Sequence, residues 1–155
     1  MSSRLFIEAR EKRGLAYSIS CSYKTLHDTG LFLIRAGVDN QKIVETITLI
    51  IKELNKIKRT GVAKGEFQRA REYLSGQLLL GLEDTMEHML WVGEGVATKN
   101  KVKTRKSILK ELDKIKPADM KRVAKAVLVA KCYNLAVIGP VTGKQEKQMS
   151  KLLGV

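Results

Sequence analysis

Arg10 and Tyr17 are the two residues whose types and spacing point most directly to chemistry. They stand seven positions apart in the run Ser2 to Ser18, which includes Arg10-Glu11-Lys12-Arg13-Gly14-Leu15-Ala16-Tyr17. That run reads as a short amphipathic helix, a glycine stop and a strand. A guanidinium carries a planar fork of charged donors and a phenol carries one more, so the two can address one ligand across a helix-to-strand turn. By spacing alone a plainer assignment stands beside this one. In it Arg10 is a surface charge and Tyr17 packs like Ile19 and Cys21.

The other constellations carry less. His27 and His88 are the only histidines, and Asp84 and His88 share helical spacing. Two ligands do not close a zinc site, and no His-x-x-x-His or His-x-x-Glu-His spacing occurs, so the expected metal set is none. No Gly-x-Ser-x-Gly elbow is present, and neither Cys21 nor Cys132 has a base beside it. Gly139 to Lys144 resembles a phosphate loop one residue short, with Gln145 where Ser or Thr is required; a strand stop explains it better. The net charge of +13 raises nucleic acid as a partner. The basic stretch Lys99 to Lys106 is the natural phosphate track. Aromatics are only 5% of the chain and no stacking motif accompanies that stretch, so a solvated basic surface is expected instead.

The elements that must position Arg10 and Tyr17 follow from hydrophobic period. Leu5, Phe6 and Ala9 form one side of the first helix, and Gly14 ends it. Tyr17 to Tyr23 alternates apolar residues with serine, which predicts a strand with one buried face. Lys24 to Gly30 is a turn, and Leu31 to Val38 is a second strand forming a hairpin with the first. Asp39 or Asn40 caps a helix with the stripe Ile43, Ile47, Ile50, Ile51, Leu54 and Ile57. Gly61 ends that helix. A long helix from Lys64 to Glu83 presents Phe67, Ala70, Leu74 and Leu78. Further helices begin near Thr85, at Thr104 or Ser107, and at Pro117, the last with Met120, Val123, Ala124 and Val127 inward. Cys132 to Ile138 is expected as a third strand and Gly143 to Leu153 as a helical tail. The order predicts an α+β fold: a small antiparallel sheet, partly incomplete, covered on one face by several helices.

With 155 residues the chain is expected to form a single domain, 1–155. Two distant cysteines fit neither a disulfide framework nor a zinc spacing; buried thiols in a reducing, cytoplasmic setting are expected. No apolar run is long enough to span a bilayer, so no membrane partner is predicted.

The run Ser2-Ser3-Arg4-Leu5-Phe6 followed by Arg10 to Ser18 resembles the C-terminal, non-zinc half of the insulinase/pitrilysin-type zinc peptidases. These are the inverzincins, which include mitochondrial processing peptidase. Asp28-Thr29-Gly30-Leu31-Phe32 resembles that family's next strand, and Glu66 to Glu83 its long helix. The closing stretch before Gly139-Pro140 is similar as well. The resemblance implies two α+β halves facing each other as a clamshell. The zinc lies on the N-terminal half, where it polarises the scissile carbonyl and activates water. The C-terminal half supplies an arginine and a tyrosine that match Arg10 and Tyr17. Arg10 is then a substrate-binding residue holding peptide carbonyls. Tyr17 binds substrate too and, as the catalytic residue, donates to the carbonyl oxygen as it gains charge.

The same resemblance implies strands ahead of Ser2, so the domain is expected to be truncated at its N-terminus and inactive alone. No cofactor is expected in this chain; zinc is expected on the missing or partner half. The implied partners are a zinc-bearing half or subunit, a peptide substrate, and a second copy through open sheet edges. An alternative is a catalytically silent assembly module of the same fold.

Overall fold

The computed structural model describes residues 3–154, with the Lys99 side chain set aside. Ser2 of the opening run and the Lys99 side chain of the basic stretch therefore lie outside the described residues. The fold is α+β and divides into two compact units. One comprises the chain up to Thr60 and from Lys121 onward; the other is Gly61–Met120.

The first unit holds the sheet. Its opening turn, Phe6–Glu11, is wound as a π-helix rather than the α-helix its pattern predicts, with the Lys12 amide reaching back to the Ile7 carbonyl at 3.0 Å. Strands β1 (Ala16–Thr25) and β2 (Gly30–Val38) form an antiparallel hairpin. Helix α1 (Ile43–Thr60) follows a 3-10 turn whose cap is Asp39, its carboxylate accepting from the Gln41 amide at 2.8 Å. Helix α5 (Pro117–Val127) belongs to this unit from Lys121 onward, and helix α6 (Gly143–Leu153) lies wholly in it.

Burial explains why these elements hold together. Leu5, Ala9, Leu15, Ala16, Ile19 and Leu49 make one apolar cluster, so the opening turn, β1 and α1 share a core. Leu54, Ala124 and Leu128 make a second, joined by Ile34 and Ile50 at its edge. Thr46 is the most buried side chain of α1, and its hydroxyl donates to the Lys42 carbonyl at 2.9 Å, so burying it leaves no unmet donor. Glu53 is buried nearby with Arg4 at 3.9 Å. Tail helix α6 starts on a capping box, Thr142 with Gln145, and Gln145 also donates to the Asn40 carbonyl at 2.6 Å.

The second unit contains helices α2 (Lys64–Gly81), α3 (Thr85–Lys99) and α4 (Arg105–Lys114). Asp84 caps α3 by accepting from the Glu87 amide at 2.9 Å, and Thr104 caps α4. Lys103 and Glu111 pair at 2.6 Å.

Four further expectations are corrected by this structure. Cys132 to Ile138 is no strand: Ala130–Cys132 forms a 3-10 turn, and the residues after it run without a ladder partner while β1 and β2 pair with each other. Cys21 and Cys132 are exposed: Cys21 lies on β1 beyond Ile19, the last buried residue of that strand, and Cys132 lies in a 3-10 turn that buries none of its residues. The stripe of α2 is not buried, with Leu74 exposed, because α4 is its main helical contact and is too short to cover that face. In α5 only Ala124 is buried; Met120, Val123 and Val127 face outward.

Candidate functional site

The joint between Arg10 and Tyr17 is tightly specified. Gly14 adopts φ +56, a conformation that costs a side-chain-bearing residue energy and a glycine none. This lets the Gly14 amide donate to the Arg10 carbonyl at 3.0 Å and the Leu15 amide to the Ala9 carbonyl at 2.7 Å. Lys42, from the turn before α1, donates to the Gly14 carbonyl at 3.0 Å. Ala9 and Leu15 are buried on either side, so both the turn and the strand are anchored to the core.

The charges in the turn are partitioned. Glu8 accepts from Lys12 at 2.6 Å and from Arg13 at 2.7 Å, and these bonds, Lys12 first, hold its carboxyl down at about 2. Arg10 is left out of that arrangement. Its guanidinium lies over the Phe6 ring at 5.1 Å, and among the described residues it meets no carboxylate. Arg10 is thus an exposed cation, steadied by an aromatic face and open to an incoming acceptor.

Tyr17 departs from the alternation expected of it. The register pairs Ala16 with Val38 and then Ser18 with Gly37, so β1 advances two residues while β2 advances one. Tyr17 is the extra residue of a β-bulge. The bulge keeps Ala16 and Ile19 buried and turns Tyr17 outward, 73% exposed, instead of packing it beside Ile19. Its ring lies across Gly37, where a β-carbon would stand 2.6 Å from ring atom Cε2. Sequence reasoning missed Gly37. The available signal was a lone glycine inside an apolar strand, which marks a bulge or a close approach.

The remaining candidates are used structurally. Asp84 is a helix cap, and the His88 ring stands 6.0 Å from that of Trp91. Gln145, at the false phosphate loop, completes a capping box. Among the described residues no three His, Cys, Asp or Glu side chains gather as a metal-holding group, so the residues present do not fit a zinc ion. No helix among them is long and apolar enough to cross a membrane.

Residues 1–74, which carry this whole joint, match the sequence model of the peptidase M16 inactive domain. Over that stretch the chain is similar to the inactive, C-terminal domain of the peptidase M16 family. It is 35% identical to an uncharacterized zinc protease of Streptomyces coelicolor over 96% of this chain and 32% of that protein. It is 30% identical to the alpha subunit of the mitochondrial-processing peptidase of Rattus norvegicus over 92% of this chain and 27% of that one. The chain thus spans about a third of the length of the curated relatives it matches. In fold it is similar to the crystal structure of a peptidase M16 inactive domain from Pseudomonas fluorescens, with TM-score 0.70 and 18% identity over 82% of this chain and 30% of that one.

Proposed function

We propose that this chain is an M16 domain and the substrate-binding half of a zinc endopeptidase, closing as a clamshell on a zinc-bearing half that is a partner or another part of a longer protein. Arg10 binds peptide carbonyls. Tyr17 binds substrate and donates its phenolic hydrogen to the scissile carbonyl oxygen as charge builds there. In this reading the zinc belongs to the other half, and the domain does not hydrolyse peptides alone.

One observation carries the proposal. Arg10 and Tyr17 both stand open to solvent at the helix–strand joint, while Lys12 and Arg13 are held by Glu8. The bulge re-aims the side chain it carries, and here it presents the Tyr17 phenol to solvent. The outer edges of the two-stranded hairpin suit strand addition by the other half, or by a second copy of this domain.

The test is reconstitution. The domain alone is expected to be inactive, and joining it to a zinc-bearing half is expected to restore peptide cleavage. In that assembly Arg10→Ala should raise KM by roughly 10- to 100-fold, the loss of a hydrogen bond to a charged group. A KM unchanged in that variant overturns the role of Arg10. The alternative is a silent assembly module of the same fold. It predicts assembly with no cleavage in any combination.

A further inference from the structure

We propose that Gly37 is a positioning residue for the Tyr17 phenol: its missing side chain, with the bulge opposite, seats the ring across strand β2. The catalytic consequence rests on the reading of Tyr17 given above; the seating does not.

The register supplies the first half of the argument. Tyr17 has no partner on β2, and its two neighbours pair with Val38 and Gly37. A bulged residue is released from the pleat, so its side chain is re-aimed rather than fixed perpendicular to the sheet. A tyrosine so exposed needs something else to restrict it.

Gly37 supplies the second half. A β-carbon there would come within 2.5 Å of the Tyr17 hydroxyl oxygen and 2.6 Å of Cε2, well inside carbon contact distance. The glycines with positive φ are Gly14, Gly61, Gly139 and Gly154, and Gly37 is not among them. Its backbone therefore suits any residue, and it is the ring that requires glycine. The ring's outer face is solvent, so the cheapest relief of a clash is for the tyrosine to swing away while the sheet stays in place. Gly37→Ala should therefore fold and misplace the phenol. A donor held before substrate arrives needs no reorganisation in the transition state, and a misplacement of about 1 Å can cost about 10²-fold in rate.

The experiment has two arms. In the first, the chain's NMR spectrum is expected to show Tyr17 ring protons close to the Gly37 α-protons. Gly37→Ala should shift the ring signals, and in a Tyr17→Ala background the same substitution should leave the surrounding strand unperturbed. Absence of ring contact, or ring signals unmoved in Gly37→Ala, overturns the proposal whatever the activity. In the second arm, within the assembly bearing the zinc half, Gly37→Ala should lower kcat about 10²-fold, with any rise in KM smaller than that fall. In a Tyr17→Phe background it should have little further effect, because the displaced group no longer carries the hydroxyl. A displaced ring with unchanged turnover keeps the seating and overturns the catalytic reading of Tyr17.

Discussion

Two glycines in this chain should answer the same substitution with opposite signs. Gly14 holds φ +56 at the joint between the opening turn and β1. Gly76 lies inside α2, where glycine is the poorer choice. A β-carbon at either position meets nothing within 4 Å, so sterics against the rest of the fold cancel from the comparison. What remains is backbone. At Gly14 an alanine must occupy the left-handed region, costing about 1–2 kcal/mol. At Gly76 an alanine relieves a helix of its glycine and stiffens the unfolded chain, gaining about 0.5–1 kcal/mol. Urea unfolding followed by circular dichroism measures both. Exchange of the Leu15 amide, which donates to the Ala9 carbonyl, measures the joint locally. A loss of 1.4 kcal/mol there is about a tenfold loss of protection if the local opening governs exchange. A neutral or stabilising Gly14→Ala refutes the positive φ, and with it the hydrogen bonds that tie Arg10 to β1. A destabilising Gly76→Ala refutes the open space beside α2.

Leu49 sits in the cluster shared by the opening turn, β1 and α1, so Leu49→Ala should cost about 2–5 kcal/mol in urea unfolding; a loss under about 1 kcal/mol contradicts that core. Glu8 has its carboxyl lowered from 4.5 to about 2 by Lys12 and Arg13, so the unfolded chain takes up the proton first as pH falls. Its contribution is complete above about pH 4.5 and is lost as pH falls toward about 2. The bridge is at the surface and worth under about 1 kcal/mol, so Glu8→Gln should differ from the parent by at most that at pH 7, and the gap should close in strong acid. A gap that widens on acidification refutes the clamp.

Much of the frame around the site was legible because it is local. The stop at Gly14, the hairpin turn before Gly30, the cap at Asp39 and the period of α1 each depend on residues within a few positions of one another. The orientation of Tyr17 was not legible. A bulge is a property of two strands in register, and the pattern of β1 alone, Tyr17 to Tyr23, reads as unbroken alternation. The same reason hid Gly37, whose meaning depends on a ring from the opposite strand. The strand expected after Cys132 has the right composition, but a strand exists only with a partner. Exposed Cys21 is the same lesson in burial: apolar character does not say where helical cover ends.

The central claim is that Tyr17 acts on the substrate carbonyl from the half that holds no zinc. The most direct measurement is kcat of the Tyr17→Phe variant, assembled with the zinc-bearing half and compared with the parent assembly. Losing one donor to a developing oxyanion predicts a fall of about 10²- to 10³-fold. An active assembly whose kcat is unchanged by the missing hydroxyl contradicts it.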